Sequence, residues 1–308
     1  MTTAGAWSTP GAGARTPDTG VIHDIGYRGY TGPRLGRGYA TRSLFVQSLR
    51  AAFGLGRSGK SKVLPMLGLA AVGLPALVIV AFAILQGSTE LPLDYPTYPS
   101  SFGLVIEIFL AAQAPVLMSR DLRHNTVPLY FSRPITRGDY VRAKFAAMTA
   151  AMLLLMVTPL VVLYLGAVLG GMSFGHNTVH LLYGLAASLL YALVLSAIGL
   201  LVAASTPRRG FGVATIMGLL VVSNVIALII YGLSGGLDVG SSTDAGNWAA
   251  LLSPGLLVDG LVTEVFGLRH NSGTMHAPGA LGIVVFAAEA ALLVAGSYWL
   301  LNRRYRNI

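Results

Sequence analysis

Cysteine is absent from the 308 residues, which excludes disulfide scaffolds, thiolate metal sites and cysteine nucleophiles and leaves the redox compartment undetermined. Charge is almost as scarce. Asp, Glu, Lys and Arg together make up 11% of the chain, whereas a soluble domain carries roughly 25%. So few ionic groups cannot cover a water-facing surface. The alternation over about ten residues that a membrane barrel requires is missing too, and no apolar signal-peptide core precedes Val63. Against these deficits stand 54% hydrophobic content and a mean hydropathy of +0.67. The apolar residues arrive in blocks of about 20, enough for a helix to cross about 30 Å of hydrocarbon. The chain reads as an all-α integral membrane protein.

Six blocks qualify as spans, near Val63 to Gln86, Ser101 to Met118, Phe145 to Gly170, His180 to Ser205, Phe211 to Leu233 and Gly279 to Leu301. Each must be helical because lipid cannot satisfy exposed backbone amides. Their orientation follows from the basic residues. In a six-span topology, 20 of the 21 Lys and Arg residues fall on one side, leaving only Arg269 opposite. The opposite side carries Glu90, Asp94, Asp238, Asp244, Asp259 and Glu264. The positive-inside rule then predicts a multi-pass protein of the cell membrane with both termini cytoplasmic. The formal charge of +9 is thereby explained by topology and anionic lipid headgroups. No aromatic-interleaved basic domain points to nucleic acid.

Three regions emerge. Residues 1–40 are rich in Gly, Thr, Pro and Arg and read as a disordered cytoplasmic tail. Residues 41–62 combine an amphipathic interfacial helix with a basic hinge: Phe45, Leu49, Ala52 and Phe53 share one face, Arg42, Gln47 and Arg50 the other. Residues 63–308 hold the six spans. Between spans five and six, Pro254 opens a short outer-face helix with Leu257, Val258, Leu261, Val262 and Val265 on one side.

Two patterns invite functional readings that their surroundings do not support. Gly54 to Ser61 matches the P-loop formula, but no strand feeds it and no α/β nucleotide domain follows, so it reads as a hinge. His176, His180, His270 and His276 lie toward the outer side at spacings that match no metal site.

The loop between spans two and three carries more information. It sets Val127, Leu129, Tyr130 and Phe131 among Arg120, Arg123, Arg133, Arg137, Arg142 and Lys144. An apolar patch rimmed by arginine suits a protein partner. Here the sequence resembles the membrane subunits, or permeases, of ABC-2 type transporters. The resemblance rests on Arg120, Asp121 and Arg123, then Thr126, an apolar stretch ending in Ser132-Arg133-Pro134-Ile135, and Arg137, Tyr140 and Lys144 leading into span three. It extends to the layout of a lead-in helix, six spans and an outer element with Ser253-Pro254. The resemblance implies that this loop is a coupling element, with Arg120, Asp121, Arg123, Thr126, Val127, Leu129, Tyr130, Phe131, Arg133, Pro134 and Arg137 contacting a separate ABC ATPase. It implies an exporter that is not itself an enzyme, has no cofactor of its own, and pairs with a second permease chain as a homodimer or heterodimer. ATP and Mg would sit on the ATPase.

Glu107, Gln113, Asn224 and Glu289 fall near the middle of their spans. Ionisable groups at that depth face protein or water rather than lipid, so these four are candidates for a substrate pathway or for interhelical hydrogen bonding. Two other classes stay open: an ion-coupled secondary transporter using Glu107 and Glu289 as proton sites, and a non-transporting membrane anchor recruiting a cytoplasmic partner. No self-similar halves favour the former, and no span holds a hydrolase pattern.

Overall fold

The computed structural model describes residue 32 and residues 35–306, apart from 57, 124–126, 132–134, 207, 236–243 and 269–274. The chain divides into two units after Leu35, and the first, with most of the expected tail, lies almost wholly outside the described residues. The second unit, Gly36–Ile308, contains no strand among the described residues. In chain order its helices are α1 (Arg37–Ala52), α2 (Lys60–Leu85), α3 (Tyr98–Ser101), α4 (Gly103–Leu117), α5 (Ser119–Arg123), α6 (Val127–Phe131), α7 (Arg137–Leu169), α8 (Phe174–Ser205), α9 (Arg209–Leu233), α10 (Asp244–Asn247), α11 (Pro254–Val265) and α12 (Gly279–Arg306). With α4 and α5 read as one, six are long and apolar enough to cross a membrane.

The helices outrun the apolar blocks. At 33 residues and about 1.5 Å of rise each, α7 extends about 50 Å, well beyond a hydrocarbon layer of about 30 Å. Its extra turns lie at the basic end, where Thr136 and Asp139 form a reciprocal capping box that starts the helix before Phe145. Likewise α12 continues through its basic last turn to Arg306.

The second span is the hub, 72% buried in its apolar window against 17% for the fifth and sixth. It packs against α1, α2, α7, α8 and α9, which leaves α9 and α12 with broad apolar faces for lipid or another chain. The lead-in helix behaves differently from the sequence pattern. It packs on α7 and α4, burying Leu44, Ser48, Ala52 and Phe53, while Phe45 and Leu49 are only half-buried. Its inner face keeps Ala52 and Phe53 of the expected stripe but takes Leu44 and Ser48 ahead of Phe45 and Leu49, because the bundle supplies its partner. The Phe53 ring meets Phe109 of the hub at 5.8 Å.

The P-loop-like segment is a turn. Gly54 has φ +66°, and a Cβ there would lie 2.4 Å from the Ser61 carbonyl oxygen, so glycine serves a tight reversal between α1 and α2.

A glycine pair that the apolar pattern hides joins α2 to α7. A Cβ on Gly166 would lie 2.2 Å from Val80 Cγ1, and one on Gly170 would lie 2.9 Å from Ile84 Cγ1. This Gly-x-x-x-Gly spacing lets two apolar helices approach at backbone distance, where dispersion and not water exclusion holds them. Replacing Gly166 with Val should destabilise the protein by about 1–3 kcal/mol through overpacking, read as a lowered unfolding midpoint in detergent. Gly218→Val, at a position with nothing within 4 Å, should leave the midpoint near that of the parent.

Candidate functional site

Where span two ends, the chain makes a compact knuckle from α5 and α6 before entering α7. A buried ion pair sits at its base. Lys144 Nζ lies 2.8 Å from Asp121 Oδ2, both side chains being less than a tenth exposed. The Tyr140 hydroxyl donates to the same carboxylate oxygen at 2.9 Å, and the Lys144 ammonium also lies 5.4 Å from the Tyr140 ring centroid. Two donors on one carboxylate and a cation over an aromatic face offset the desolvation that burying charge imposes.

Around that centre the aromatic rings interlock. Tyr140 contacts Tyr305 at 5.1 Å, Tyr130 at 5.6 Å and Phe131 at 6.3 Å between centroids. The Arg137 guanidinium lies 5.5 Å from the Phe131 ring and donates to the Arg306 carbonyl at 2.9 Å. The Ser119 hydroxyl donates to the Ala203 carbonyl at 2.8 Å, fastening α5 to α8. The knuckle is therefore tied to α7, α8 and α12 at once.

A second fastening holds α1. Asp139 pairs with Arg37 and accepts from Arg142 Nη2 at 2.5 Å, and Arg37 Nη2 also reaches Thr136 Oγ1 at 3.0 Å. The lead-in helix is thus bound to the first turn of α7 by charge as well as by packing. The Asp139 contact raises the pKa of the exposed Arg37 guanidinium through hydrogen bonding first and charge second.

The expected coupling residues divide by burial. Arg120 and Arg123 are exposed, and Leu129 is 67% exposed, whereas Asp121 is buried and Tyr130 and Phe131 are half-buried against Tyr140. Val127 opens α6, and Arg137 is committed to Phe131 and Arg306. Thr126, Arg133 and Pro134 lie outside the described residues. Tyr305 and Asp139 did not stand out in the sequence. Their signals were an aromatic embedded in a basic tail and an Asp three residues after a Thr at a helix start.

The candidate pathway residues are less closely grouped. Glu107 and Gln113 are buried on α4, Asn224 is half-buried on α9, and Glu289 is half-exposed on α12. Among the described residues no hydrogen bond or ion pair joins the four. Glu107 instead faces the outer element, its Oε1 being 3.8 Å from where a Gly255 Cβ would stand. One turn along α11, Asp259 is half-buried and faces the hydroxyls of Ser100 and Tyr191. Burial pushes its pKa up, and those two hydroxyls partly oppose the shift. Asp259 thus belongs to an inner polar cluster as well as to the acidic outer loop.

A family model described as "ABC-2 family transporter protein" matches residues 105–305. The chain belongs to the ABC-2 transporter family. No curated protein matches it. As an ABC-2 family member it is a multi-pass membrane transport component and not itself a catalyst, from a group that generally works with an ABC ATPase. The matched span includes Asp121, Tyr140, Lys144 and Tyr305, so the ABC-2 region contains the entire buried node; α1 and α2 precede it.

Lys144→Met strands the Asp121 carboxylate and should cost about 3–5 kcal/mol, whereas Lys144→Met with Asp121→Asn should recover part of that loss. The unfolding midpoints of the two singles and the double in detergent measure the coupling, and strictly additive values would deny it. Because burial raises Asp259, the native state holds its proton more tightly than the unfolded chain does, so this residue's contribution to stability declines as pH rises above the carboxylate range. The advantage of Asp259→Asn over the parent should therefore grow as pH rises above about 4, the ordinary range of an Asp carboxyl. A difference in midpoint independent of pH would contradict it.

Proposed function

We propose that this chain is the membrane-spanning permease subunit of an ABC-2 exporter. ATP hydrolysis, with its Mg, occurs on a separate ATPase that docks on the α5–α6 knuckle. The observation that carries this reading is the attachment of an exposed, arginine-flanked knuckle to three spanning helices through the Asp121–Tyr140–Lys144 node. A load applied at Leu129 has a short, packed route into α7, α8 and α12, and packed helix pairs switch between discrete arrangements when displaced. Arg120 and Arg123 steer the partner, Leu129 inserts, and Tyr130 and Phe131 pass the displacement to Tyr140.

The charge segregation supports a cell-membrane topology with the knuckle and both termini on the cytoplasmic side. A second permease chain completes the transport path. The exposed ridge of Leu219, Val222, Val225 and Ile229 on α9 supports such a contact. Glu107 and Gln113, on the most buried span, together with Asn224 and Glu289, are assigned to the path or its packing. Substrate moves outward as the spans rearrange.

The test is association with an ATPase. Arg120→Glu with Arg123→Glu should reduce co-purification of the ATPase from membranes, and Leu129→Asp should reduce it by about tenfold or more if Leu129 anchors the interface. Parent-level recovery of the complex from all of these variants, each folded by its unfolding midpoint, would overturn the docking assignment.

A further inference from the structure

Two cavities adjoin on the outside of the bundle, and charged side chains are concentrated at one of them. One, about 700 Å³, lies at the basic end and is lined by Arg37, Thr41, Arg42, Asp139 and Arg142 among others. The other, about 810 Å³, runs between α7, α8 and α12 and is lined almost wholly by carbon, from Phe145, Leu190, Leu193, Val294 and Tyr298. Arg142 and Ala146 belong to both, so the two form one groove with a basic mouth and an apolar channel.

The mouth has an unbalanced charge. Its three arginines face a single carboxylate, Asp139, which Arg37 and Arg142 already share. Arg42 has no carboxylate partner among the described residues. The channel, by contrast, offers no charge beyond Arg142 at its rim. Its length also carries information. From Tyr298, whose ring meets Phe145 at 6.0 Å, to Ala287, which lines the far end with Leu261, α12 rises about 16 Å at about 1.5 Å per residue. That is about half of a hydrocarbon layer of about 30 Å, the depth of one leaflet.

We propose that this groove binds one anionic phospholipid, its phosphate against Arg42 and Arg142 and an acyl chain along α7, α8 and α12 as far as Leu261. A zwitterionic lipid gains less from the excess positive charge, and a detached phosphate gains nothing from the channel. Because Arg37, Arg42 and Thr41 sit on α1 and the channel on the spans, the lipid clamps the lead-in helix to α7 and adds to the Arg37–Asp139 fastening. The site rests on the transport reading only for the leaflet's name: it is the leaflet on the basic face, cytoplasmic if the topology above holds.

The test is native mass spectrometry of the full chain in detergent, titrated in turn with phosphatidylglycerol, phosphatidylcholine of the same chains, and glycerol 3-phosphate. Phosphatidylglycerol should bind most tightly. Arg42→Gln should weaken it about fivefold, the effect of one basic residue at a membrane surface, and weaken phosphatidylcholine less. Ala291→Trp, which fills the channel from its open side, should weaken both lipids. Equal affinity for the two lipids, equal binding of glycerol 3-phosphate and phosphatidylglycerol, or indifference to both substitutions would overturn the proposal. So would a dimer that occupies the groove and dissociates in Ala291→Trp without any change in bound lipid. Parent-level ATPase association in the Arg120, Arg123 and Leu129 variants, with lipid binding intact, would count against the transport reading alone.

Discussion

The buried Lys144–Asp121 pair is the constraint on which the basic end of the molecule depends. An ammonium and a carboxylate removed from water are costly unless each is matched, and here the matching group, Tyr140, is also the centre of an aromatic cluster that includes Tyr130, Phe131 and Tyr305. The ion pair therefore fixes the position of Tyr140, and Tyr140 fixes the knuckle relative to α12. Removing either charge disturbs more than one contact, because the same carboxylate oxygen accepts from both the lysine and the phenol.

Different physics holds the rest of the bundle. In lipid, apolar burial between helices adds little, so close approach and polar fastening do the work. Gly166 and Gly170 allow α2 to reach α7, while Tyr98 donates to the Val72 carbonyl at 2.5 Å and Tyr95 to Asn177 Oδ1 at 2.9 Å near the opposite end. The basic end is tied by charge and aromatic rings and the opposite end by phenol hydrogen bonds. On the proposed reading, the first is where force enters and the second is where the path opens.

Much of this was legible beforehand. Hydropathy alone located all six spans, because a block of about 20 apolar residues has few other uses, and the arginine-flanked Leu129 to Phe131 marked the knuckle. Burial within the knuckle was not legible. Asp121 looks like a rim charge beside Arg120 and Arg123, and only the fold brings it to Lys144 on another helix. Tyr305 is remote in sequence from Tyr140 and Met118, the groups its ring and hydroxyl meet. The face of α1 was legible at Ala52 and Phe53 but not at Leu44 and Ser48, because an amphipathic stripe does not say whether lipid or protein will cover it. Asp259, counted with the outer acids, proved half-buried because α11 packs inward against α8 and α12.

On the proposed reading, the knuckle, α7 and α12 move as one body when the partner ATPase binds ATP. The absence of cysteine allows spin labels to be placed at will. In a complex with the proposed ATPase, the distance between labels at Leu122→Cys on α5 and Leu300→Cys should stay fixed on addition of ATP, while that between Leu122→Cys and Leu228→Cys on α9 should change. A shift in the first distance with the second unchanged would contradict the account, since the knuckle would then be moving without the helices it is tied to.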